Sequence, residues 1–239
     1  MQLKLGISVF FPCYNDSHSI TQLVIDALET LKKITNKFEV IVVDDGSTDN
    51  SRNILRNLSD KYKHLKVIYH EKNKGYGGVL QTGFNTAKYE WIFYTDGDGQ
   101  YDVKELPLLI QLISNDIDFV NGIKISRKDP TYRIVAGSLY SFLIRWFFWI
   151  PIHDIDCDFR LIRKKILNKI TLKSTSGSIC VELVKKAQGA GARFQEVGIP
   201  HFERRFGNSQ FFQPRRIFHT FYELFMLWVN LMILKKDYH

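Results

Sequence analysis

The sequence lacks several features that mark particular classes of protein. It has three cysteines in 239 residues, Cys13, Cys157 and Cys180, and no Cys-x-x-Cys pair. Such a sparse, odd set fits a reduced, cytosolic protein better than a disulfide scaffold. The first four residues lead directly into a strand-like run, without the apolar core and cleavage site of a secretory signal, so we do not expect secretion.

The charge balance is basic, with a formal net charge of +8. This excess predicts an anionic partner, such as nucleotide phosphates, lipid phosphates or a membrane surface. A nucleic acid would suit the charge, but the chain carries no recognition motif for one, and we expect no nucleic-acid partner. The composition, 45% hydrophobic and 24% charged, is typical of a folded domain rather than a disordered chain. The length suffices for one α/β domain with a short appendage.

Strand-like and helix-like segments alternate along the first hundred residues. Apolar runs predict strands at residues 7–12, 38–43, 65–70 and 91–95. Helical spacing of apolar residues predicts helices between them, at 17–34, 49–58 and 75–88. This alternation predicts an α/β fold with a mainly parallel central sheet and helices on both faces.

The second half of the chain is less regular. Its pattern predicts a helix at 105–114, a strand at 119–125 and an amphipathic helix at 139–150. No low-complexity linker or internal repeat separates the two halves.

Three polar loops follow predicted strands, at residues 12–16, 44–49 and 96–100. In a parallel sheet such loops meet in one crevice, where ligands bind. Asp96 and Asp98 can both reach one hard cation, with Gln100 offering an amide oxygen. Mg²⁺ or Mn²⁺ accepts such ligands and would stabilise the charge on a departing nucleoside diphosphate. A polar turn at a strand end is the alternative.

The loop after the second strand is also acidic. Asp44 can accept hydrogen bonds from a base or ribose, whereas Asp49 is better explained as a helix cap. The glycine-rich run 73–78 matches neither the dinucleotide fingerprint nor the NTPase loop. We interpret it as a close approach to substrate at a helix N-terminus, with Lys74 nearby. A helix start that needs glycines for clearance is the alternative.

Together these loops resemble the family 2 inverting glycosyltransferases, and most of all their polyprenyl-phosphate group, which includes the dolichyl-phosphate mannose synthases. The resemblance covers roughly the first 210 residues, in the expected order. It implies a Rossmann-like nucleotide-diphospho-sugar transferase fold of the GT-A type, with a Mg²⁺ or Mn²⁺ ion held by Asp96, Asp98 and Gln100. It also implies a nucleotide-sugar pocket lined by Pro12, Tyr14, Asn15, Asp44, Asp45, Lys74 and Asp96.

Two later segments resemble the lipid-phosphate subgroup. Residues 154–160 look like its acidic stretch ending in Phe-Arg, and residues 201–209 look like its Arg-x-x-Gly-x-Ser loop. A solvated basic loop is the alternative for the second segment. The resemblance implies that acceptor or diphosphate is bound by Arg160, Arg204, Arg205 and Ser209, with Arg204 the better match to the motif. It implies catalytic roles for Asp98, for Asp154 as the base or acceptor-positioning carboxylate, and for Asp156 as its rival.

The implied reaction is inverting transfer of a sugar from a UDP- or GDP-sugar to a polyprenyl phosphate, dolichyl or undecaprenyl, by direct displacement. A phosphate acceptor is anionic near neutral pH and needs little help from a base. Three alternatives stay open: a family 2 enzyme with a saccharide acceptor, a non-catalytic nucleotide-sugar-binding or membrane-scaffold protein, and an aspartyl-phosphate phosphatase. The last is disfavoured because such phosphatases carry their Asp-x-Asp-Gly loop near the chain start. Here the corresponding loop follows a complete nucleotide-binding half with its own acidic loop.

Residues 218–234 are rich in Phe, Leu, Met and Trp, but the run is shorter than the about 20 apolar residues of a spanning helix and is interrupted by polar residues. Basic pairs at 215–216 and 235–236 favour an interfacial helix, and 139–150 can lie at the same surface. Core packing or an oligomer interface is the alternative.

The expected organisation is a glycosyltransferase domain at 1–212, with a nucleotide-sugar half at 1–100 and an acceptor half at 101–212. An amphipathic membrane-surface helix follows at 213–239. The protein would lie peripherally on the cytoplasmic face of a membrane, beside a membrane-embedded protein partner.

Overall fold

A seven-stranded β-sheet organises the residues that the computed structural model describes, namely 4–125, 131–202 and 214–236. The strand order is β3-β2-β1-β4-β6-β5-β7. Strands β1 to β4 are parallel to one another, and β5 is parallel to β7, whereas β6 runs antiparallel to both β4 and β5. The strands are β1 (Ile7–Cys13), β2 (Phe38–Asp44), β3 (Leu65–Tyr69), β4 (Trp91–Thr95), β5 (Phe119–Ile125), β6 (Phe159–Arg163) and β7 (Phe194–Pro200).

Helices cover both faces of this sheet, each burying an apolar side against it. Helices α1 and α2 pack in one core cluster, and α3, α7 and α8 pack in a second cluster on the opposite face. A 3₁₀ turn at Val103–Glu105 precedes α4, and a π-helical turn at Val229–Ile233 follows α8. The helices are α1 (Ile20–Ile34), α2 (Ser51–Lys61), α3 (Gly75–Thr86), α4 (Leu106–Ile110), α5 (Thr131–Phe148), α6 (Lys164–Leu167), α7 (Ile179–Gly189) and α8 (Pro214–Trp228).

The predicted strands agree with the structure to within one residue. Strands β1, β2 and β4 are almost wholly buried, whereas β3 and the end of β5 are partly exposed. The helix predicted at 105–114 is shorter and begins with the 3₁₀ turn, whereas the one predicted at 139–150 begins earlier, at Thr131. Strands β6 and β7 and helix α7 were not predicted. In β6 a buried arginine interrupts the apolar pattern, and β7 is only partly buried.

The reversed strand β6 explains how two halves of the chain reach one edge of the sheet. Thr95, at the end of β4, pairs with Phe159, at the start of β6. The acidic stretch that precedes β6 therefore lies at the same edge as the loops that follow β1, β2 and β4. This edge carries the candidate site.

The C-terminal helix α8 is buried on one side and apolar on its exposed side. Leu224, Leu227 and Leu231 pack in the second core cluster. The ring of Phe147 lies 6.2 Å from that of Trp228, whose Nε1 donates to the Phe147 carbonyl over 3.1 Å, so α5 and α8 are in contact. In the described parts of the chain, no helix combines the length and apolarity needed to cross a bilayer.

Candidate active site

The loop after β4 holds two partly buried carboxylates in fixed orientations. The Tyr76 hydroxyl donates to Asp96 Oδ1 over 2.8 Å, and the Gln100 amide donates to Asp98 Oδ1 over 3.0 Å. Burial and the neighbouring charges of Asp158 and Asp96 raise the pKa of Tyr76 well above its ordinary value. Tyr76 therefore stays protonated and remains a donor to Asp96.

Gly97 brings this loop directly against the end of β1. A Cβ at this position would lie 2.4 Å from the Pro12 carbonyl oxygen, which leaves no room for a side chain. The Ser19 hydroxyl also donates to the Gly97 carbonyl over 2.8 Å. The first and third polar loops thus form one continuous wall.

Asn15 joins the first polar loop to the second. Its backbone has φ +60°, a left-handed conformation that asparagine tolerates better than most residues. Its amide donates to Ser47 Oγ over 2.9 Å, and its side-chain oxygen accepts from the amides of Thr48 and Asp49. Tyr14 and Pro12 lie beside it, partly buried.

Asp49 accepts hydrogen bonds from two different segments. The Ser51 amide donates to it over 2.9 Å and the Ser17 amide over 3.1 Å. Helix α2 begins at Ser51, so Asn50 rather than Asp49 stands at the N-cap position. Burial acts to raise the pKa of Asp49, but these hydrogen bonds outweigh it and hold the pKa below its ordinary value.

Asp44 is completely buried and forms an ion pair within the protein. Arg52 Nε donates to Asp44 Oδ2 over 2.7 Å, and the Ser47 amide donates to Oδ1 over 3.3 Å. The Arg52 guanidinium also donates to the His70 carbonyl over 2.5 Å. Asp44 thus fixes the wall of the crevice, and its predicted contact with a base or ribose stays a prediction.

Asp45 is 3% exposed and orients the start of α3. The amides of Lys74 and Gly75 donate to its two oxygens over 2.8 and 3.0 Å, and His70 Nδ1 lies 2.6 Å from Oδ1. A carboxylate at a helix N-terminus is stabilised by the unpaired amides there. The Lys74 side chain is exposed. A nucleotide contact by either residue stays a prediction.

The glycines of the run 73–78 provide clearance for another segment of the protein. A Cβ at Gly77 would lie 2.1 Å from the Ser174 carbonyl oxygen, and one at Gly75 would lie 2.6 Å from the Thr175 carbonyl oxygen. The Gly77 amide donates to that Thr175 oxygen over 2.9 Å. The alternative explanation of this run, a helix start that needs glycines for clearance, accounts for these two positions.

A buried network lies behind the acidic stretch before β6. Arg160 is 0% exposed; its Nη1 donates to the Tyr94 hydroxyl over 2.8 Å and its Nε donates to Asn121 Oδ1 over 2.9 Å. The Tyr94 hydroxyl in turn lies 3.2 Å from Asp158 Oδ1, to which it donates. Arg160 Nη2 donates to the Ile155 carbonyl. Arg160 therefore holds the loop from inside, and its predicted contact with acceptor or diphosphate stays a prediction.

Asp154 and Asp156 differ sharply in their surroundings. Lys124 donates its amide to Asp154 Oδ2 over 3.0 Å, and its Nζ lies 3.3 Å from Oδ1. Within the described part of the chain, no hydrogen bond reaches the Asp156 carboxylate. Burial, together with the charges of Asp154 and Asp158, raises the pKa of Asp156 to about 6 against the opposing charge of Lys124.

The loop after β4 is also bonded to the chain that follows β7. The Phe202 amide donates to the Gln100 carbonyl over 2.9 Å, and Gln100 Nε2 donates to the Phe202 carbonyl over 3.3 Å. A groove of about 370 Å³ lies between this contact and the start of α1, with Asp98 in its lining. Arg204, Arg205 and Ser209 follow directly in sequence and lie outside the described residues.

A family model described as glycosyl transferase family 2 matches residues 8–171, which is most of the chain and includes every acidic loop described above. The chain belongs to glycosyl transferase family 2.

Two curated relatives of this family 2 chain, from different genera, carry the same name. The undecaprenyl-phosphate 4-deoxy-4-formamido-L-arabinose transferase of Yersinia pestis (strain Pestoides F) is 28% identical over 219 residues, covering 91% of this chain and 66% of the relative. The protein of that name from Pectobacterium atrosepticum is 29% identical over 207 residues, covering 86% and 62%. This chain thus spans slightly less than two thirds of the length of these relatives.

Solved structures confirm the predicted fold of the GT-A type. Glucosyl-3-phosphoglycerate synthase from Mycobacterium tuberculosis, crystallised with Mn²⁺, UDP and glucosyl-3-phosphoglycerate, superposes with a TM-score of 0.70 at 16% identity, covering 95% of this chain and 79% of that one. The same enzyme with Mn²⁺, UDP and phosphoglyceric acid gives 0.70 at 15% identity, covering 95% and 78%. At this identity the likeness concerns the fold.

Four residues of the candidate site were not singled out from the sequence: Tyr76, Tyr94, Asn121 and Asp158. Each contacts a residue that was predicted. Tyr76 is hydrogen-bonded to Asp96. Arg160 is contacted by Tyr94, Asn121 and Asp158. Asp158 lies inside the acidic stretch 154–160, which was the available signal for it. Within the described residues, no three His, Cys, Asp or Glu side chains cluster as metal ligands.

Proposed function

We propose that this family 2 transferase moves a sugar from a UDP- or GDP-sugar to a polyprenyl phosphate, with inversion. The observation that carries the proposal is the approach of the two acidic loops: Thr95, directly before Asp96, pairs with Phe159, directly after Asp158. A donor-side and an acceptor-side acidic loop thus lie at one edge of the sheet. The name of the curated relatives, which specifies undecaprenyl phosphate, supports the acceptor class.

The donor would lie along the wall formed by the first and third loops. Pro12, Tyr14 and Asn15 are partly buried or exposed at its rim, and the exposed Lys74 side chain at the start of α3 offers a positive charge to the donor phosphates. Asp44 and Asp45 would act mainly by holding this wall, since both carboxylates are bonded to protein groups.

The residues of the loop after β4 fit a Mg²⁺ or Mn²⁺ ion. Asp96 and Asp98 offer carboxylate oxygens two residues apart, with the Gln100 side chain beside them. Mg²⁺ is held by one or two carboxylates, its other ligands being waters and substrate phosphates, so a cluster of three protein ligands is not required. The ion would stabilise charge on the departing nucleoside diphosphate. Tyr76 would keep the Asp96 carboxylate oriented for it.

We favour Asp156 over Asp154 as the acceptor-side carboxylate. Asp154 is bonded to Lys124 twice, so it would position the loop. Among the described residues no hydrogen-bond donor reaches the Asp156 carboxylate, and its pKa is raised to about 6, which suits a group that assists an acceptor near neutral pH. The phosphate oxygen of the acceptor would attack the anomeric carbon as the nucleoside diphosphate departs from the opposite side. Arg204, Arg205 and Ser209 would bind the phosphates, as the family resemblance suggests.

Exposed apolar side chains on α5, on α8 and at Trp149 just after α5 support contact with a membrane. We call this set the aromatic surface; its members are Leu139, Phe142, Leu143, Trp146, Phe147, Trp149, Phe218, Phe221, Tyr222, Phe225 and Met226. Exposed lysines at 235 and 236 lie beyond its C-terminal end and suit anionic headgroups. The protein would lie peripherally on the cytoplasmic face, where it would collect its lipid acceptor, beside a membrane-embedded protein partner.

The test is nucleoside-diphosphate release from a panel of UDP- and GDP-sugars with Mn²⁺ or Mg²⁺. Each donor is assayed with a short polyprenyl phosphate, with soluble saccharides, with phosphoglyceric acid and without acceptor. We expect release that requires both the metal and the lipid phosphate. Release with a saccharide alone would move the assignment to a saccharide acceptor, and release from no donor would remove the proposed activity.

A further inference from the structure

One carboxylate of α8 collects an unusual number of hydrogen bonds from a single loop. The oxygens of Glu223 accept from Thr175, through its amide at 3.1 Å and its hydroxyl at 2.8 Å, and from Ser176, through its amide at 3.1 Å and its hydroxyl at 2.6 Å. The Ser178 hydroxyl donates over 2.6 Å. We call residues 174–178 the serine loop. Although burial opposes it, this set of donors lowers the pKa of Glu223 to about 2, so the carboxylate stays charged.

The other side of the serine loop lies against the start of α3. The Thr175 carbonyl accepts from the Gly77 amide over 2.9 Å, and the Ser174 carbonyl accepts from Gln81 Nε2 over 2.9 Å. The missing Cβ atoms of Gly75 and Gly77 allow this approach. A displacement of the serine loop would therefore displace the first turn of α3 as well.

That first turn also carries Tyr76, whose hydroxyl donates to Asp96. A continuous series of contacts thus runs from Glu223 through the serine loop and the first turn of α3 to the carboxylate proposed to hold the metal. Its outer end is on α8, between Phe221 and Phe225 of the aromatic surface, which are 60% exposed. Its inner end is at the proposed donor site.

We propose that Glu223 is a positioning residue that couples contact between the aromatic surface and an anionic bilayer to binding of the donor at Asp96. The inference rests on the proposed function, since it assigns a lipid surface to α8 and a nucleotide sugar to Asp96. When helix α8 binds a bilayer, Glu223 stays hydrogen-bonded to the serine loop. The ordered loop in turn holds the first turn of α3 in place, so that Tyr76 stays hydrogen-bonded to Asp96. Linkage is reciprocal, so bound donor also strengthens attachment to the bilayer.

The first experiment measures nucleotide affinity by calorimetry, using UDP and GDP with Mn²⁺, with and without vesicles of phosphatidylglycerol and phosphatidylcholine. Vesicles should tighten binding by the wild type at least about fivefold, the lower end of ordinary coupling between sites. Glu223→Gln should bind vesicles like the wild type but lose this gain, because an amide cannot accept all the bonds of a carboxylate. Asp60→Asn, the same change on an exposed residue of α2, should keep it.

The second experiment needs no nucleotide and measures hydrogen exchange of the amides at 75–77. Vesicles should slow this exchange in the wild type, and Glu223→Gln should remove the effect while leaving exchange in β1 and β2 unchanged. An equal vesicle effect in both proteins, or none in the wild type, would overturn the coupling. Failure of the proposed function would appear separately, as absent nucleotide release with a lipid phosphate in the acceptor panel.

Discussion

The Tyr76 hydroxyl lies 2.8 Å from Asp96 Oδ1 and donates a hydrogen bond to it, although Tyr76 lies in the first turn of α3 and Asp96 in the loop after β4. The bond helps to set the direction of the Asp96 carboxylate at the end of β4. The donor-side geometry therefore depends on α3 as well as on the acidic loop itself.

Removing that hydroxyl in Tyr76→Phe should weaken metal and donor binding while leaving the fold intact. A hydrogen bond to a charged group is worth about 1.5–3 kcal/mol, so the Mn²⁺ concentration for half-maximal turnover should rise at least about tenfold. The measurement is a Mn²⁺ titration of nucleotide release. Tyr62→Phe, at the end of α2, is the control and should titrate like the wild type. An unchanged Mn²⁺ requirement in Tyr76→Phe would remove the orienting role.

Asp98→Asn should lower turnover by about two to three orders of magnitude, the usual loss when one group that stabilises transition-state charge is removed. The melting temperature should change little, because Asp98 is only partly buried. Asp116→Asn changes an exposed carboxylate outside the three polar loops and is the matched control. Retained turnover in Asp98→Asn would contradict its assignment to the metal.

Asp156 should destabilise the fold as the pH rises. Burial raises its pKa from 3.8 to about 6, so ionisation is less favourable in the folded chain than in the unfolded chain. The penalty is absent below the unfolded pKa of 3.8, grows between 3.8 and about 6, and is complete above that. Asp156→Asn should therefore raise the melting temperature at pH 8 and leave it nearly unchanged at pH 3.5. Equal shifts at both pH values would exclude ionisation as the cause.

The same carboxylate should appear in the pH dependence of the rate. If ionised Asp156 assists the acceptor, kcat/KM for the acceptor should rise through about pH 6. The second ionisation of a phosphate monoester also falls near pH 6, so the wild-type profile alone cannot assign the limb. Asp156→Asn separates them, because a limb that belongs to the phosphate persists in the variant. A profile of unchanged shape and height would exclude Asp156.

Gly77→Ala should destabilise the protein by about 1–3 kcal/mol, the usual cost of forcing a methyl group into a packed contact. The new Cβ would lie 2.1 Å from the Ser174 carbonyl oxygen, which is backbone and cannot rotate away. Chemical denaturation measures the loss. Asn85→Ala, at an exposed position of the same helix, is the control and should be neutral or slightly stabilising. A neutral Gly77→Ala would mean that the serine loop yields readily.

The first half of the fold was predictable because its signals are local. Buried parallel strands are unbroken apolar runs, and the acidic loops follow them directly. Strand β6 was not predicted because it contains a charged residue, Arg160, at a buried position. The charge is stabilised there by hydrogen bonds to Asn121 and Tyr94, which belong to other strands. A pattern within β6 carries no information about those partners.

The site shows the same division between local and distant contacts. Asp96 and Asp98 were found because their spacing suits a cation, but the role of Tyr76 depends on a contact between residues twenty apart in sequence. The burial of Asp44 likewise depends on Arg52, which reaches it from α2. Residue type and spacing thus identify candidate ligands, whereas the groups that orient them require the tertiary structure.

The close approach of Gly97 to Pro12 has a consequence for which donors the site accepts. Backbone atoms make this contact, so substitutions that keep Gly97 leave the separation of the two loops unchanged. Under the proposed function, one loop contacts the nucleoside and the other the phosphates. The span between them then fixes how many phosphates separate nucleoside from sugar. Substitutions in these loops should change which base or sugar is preferred, while nucleoside monophosphate sugars remain too short to be used.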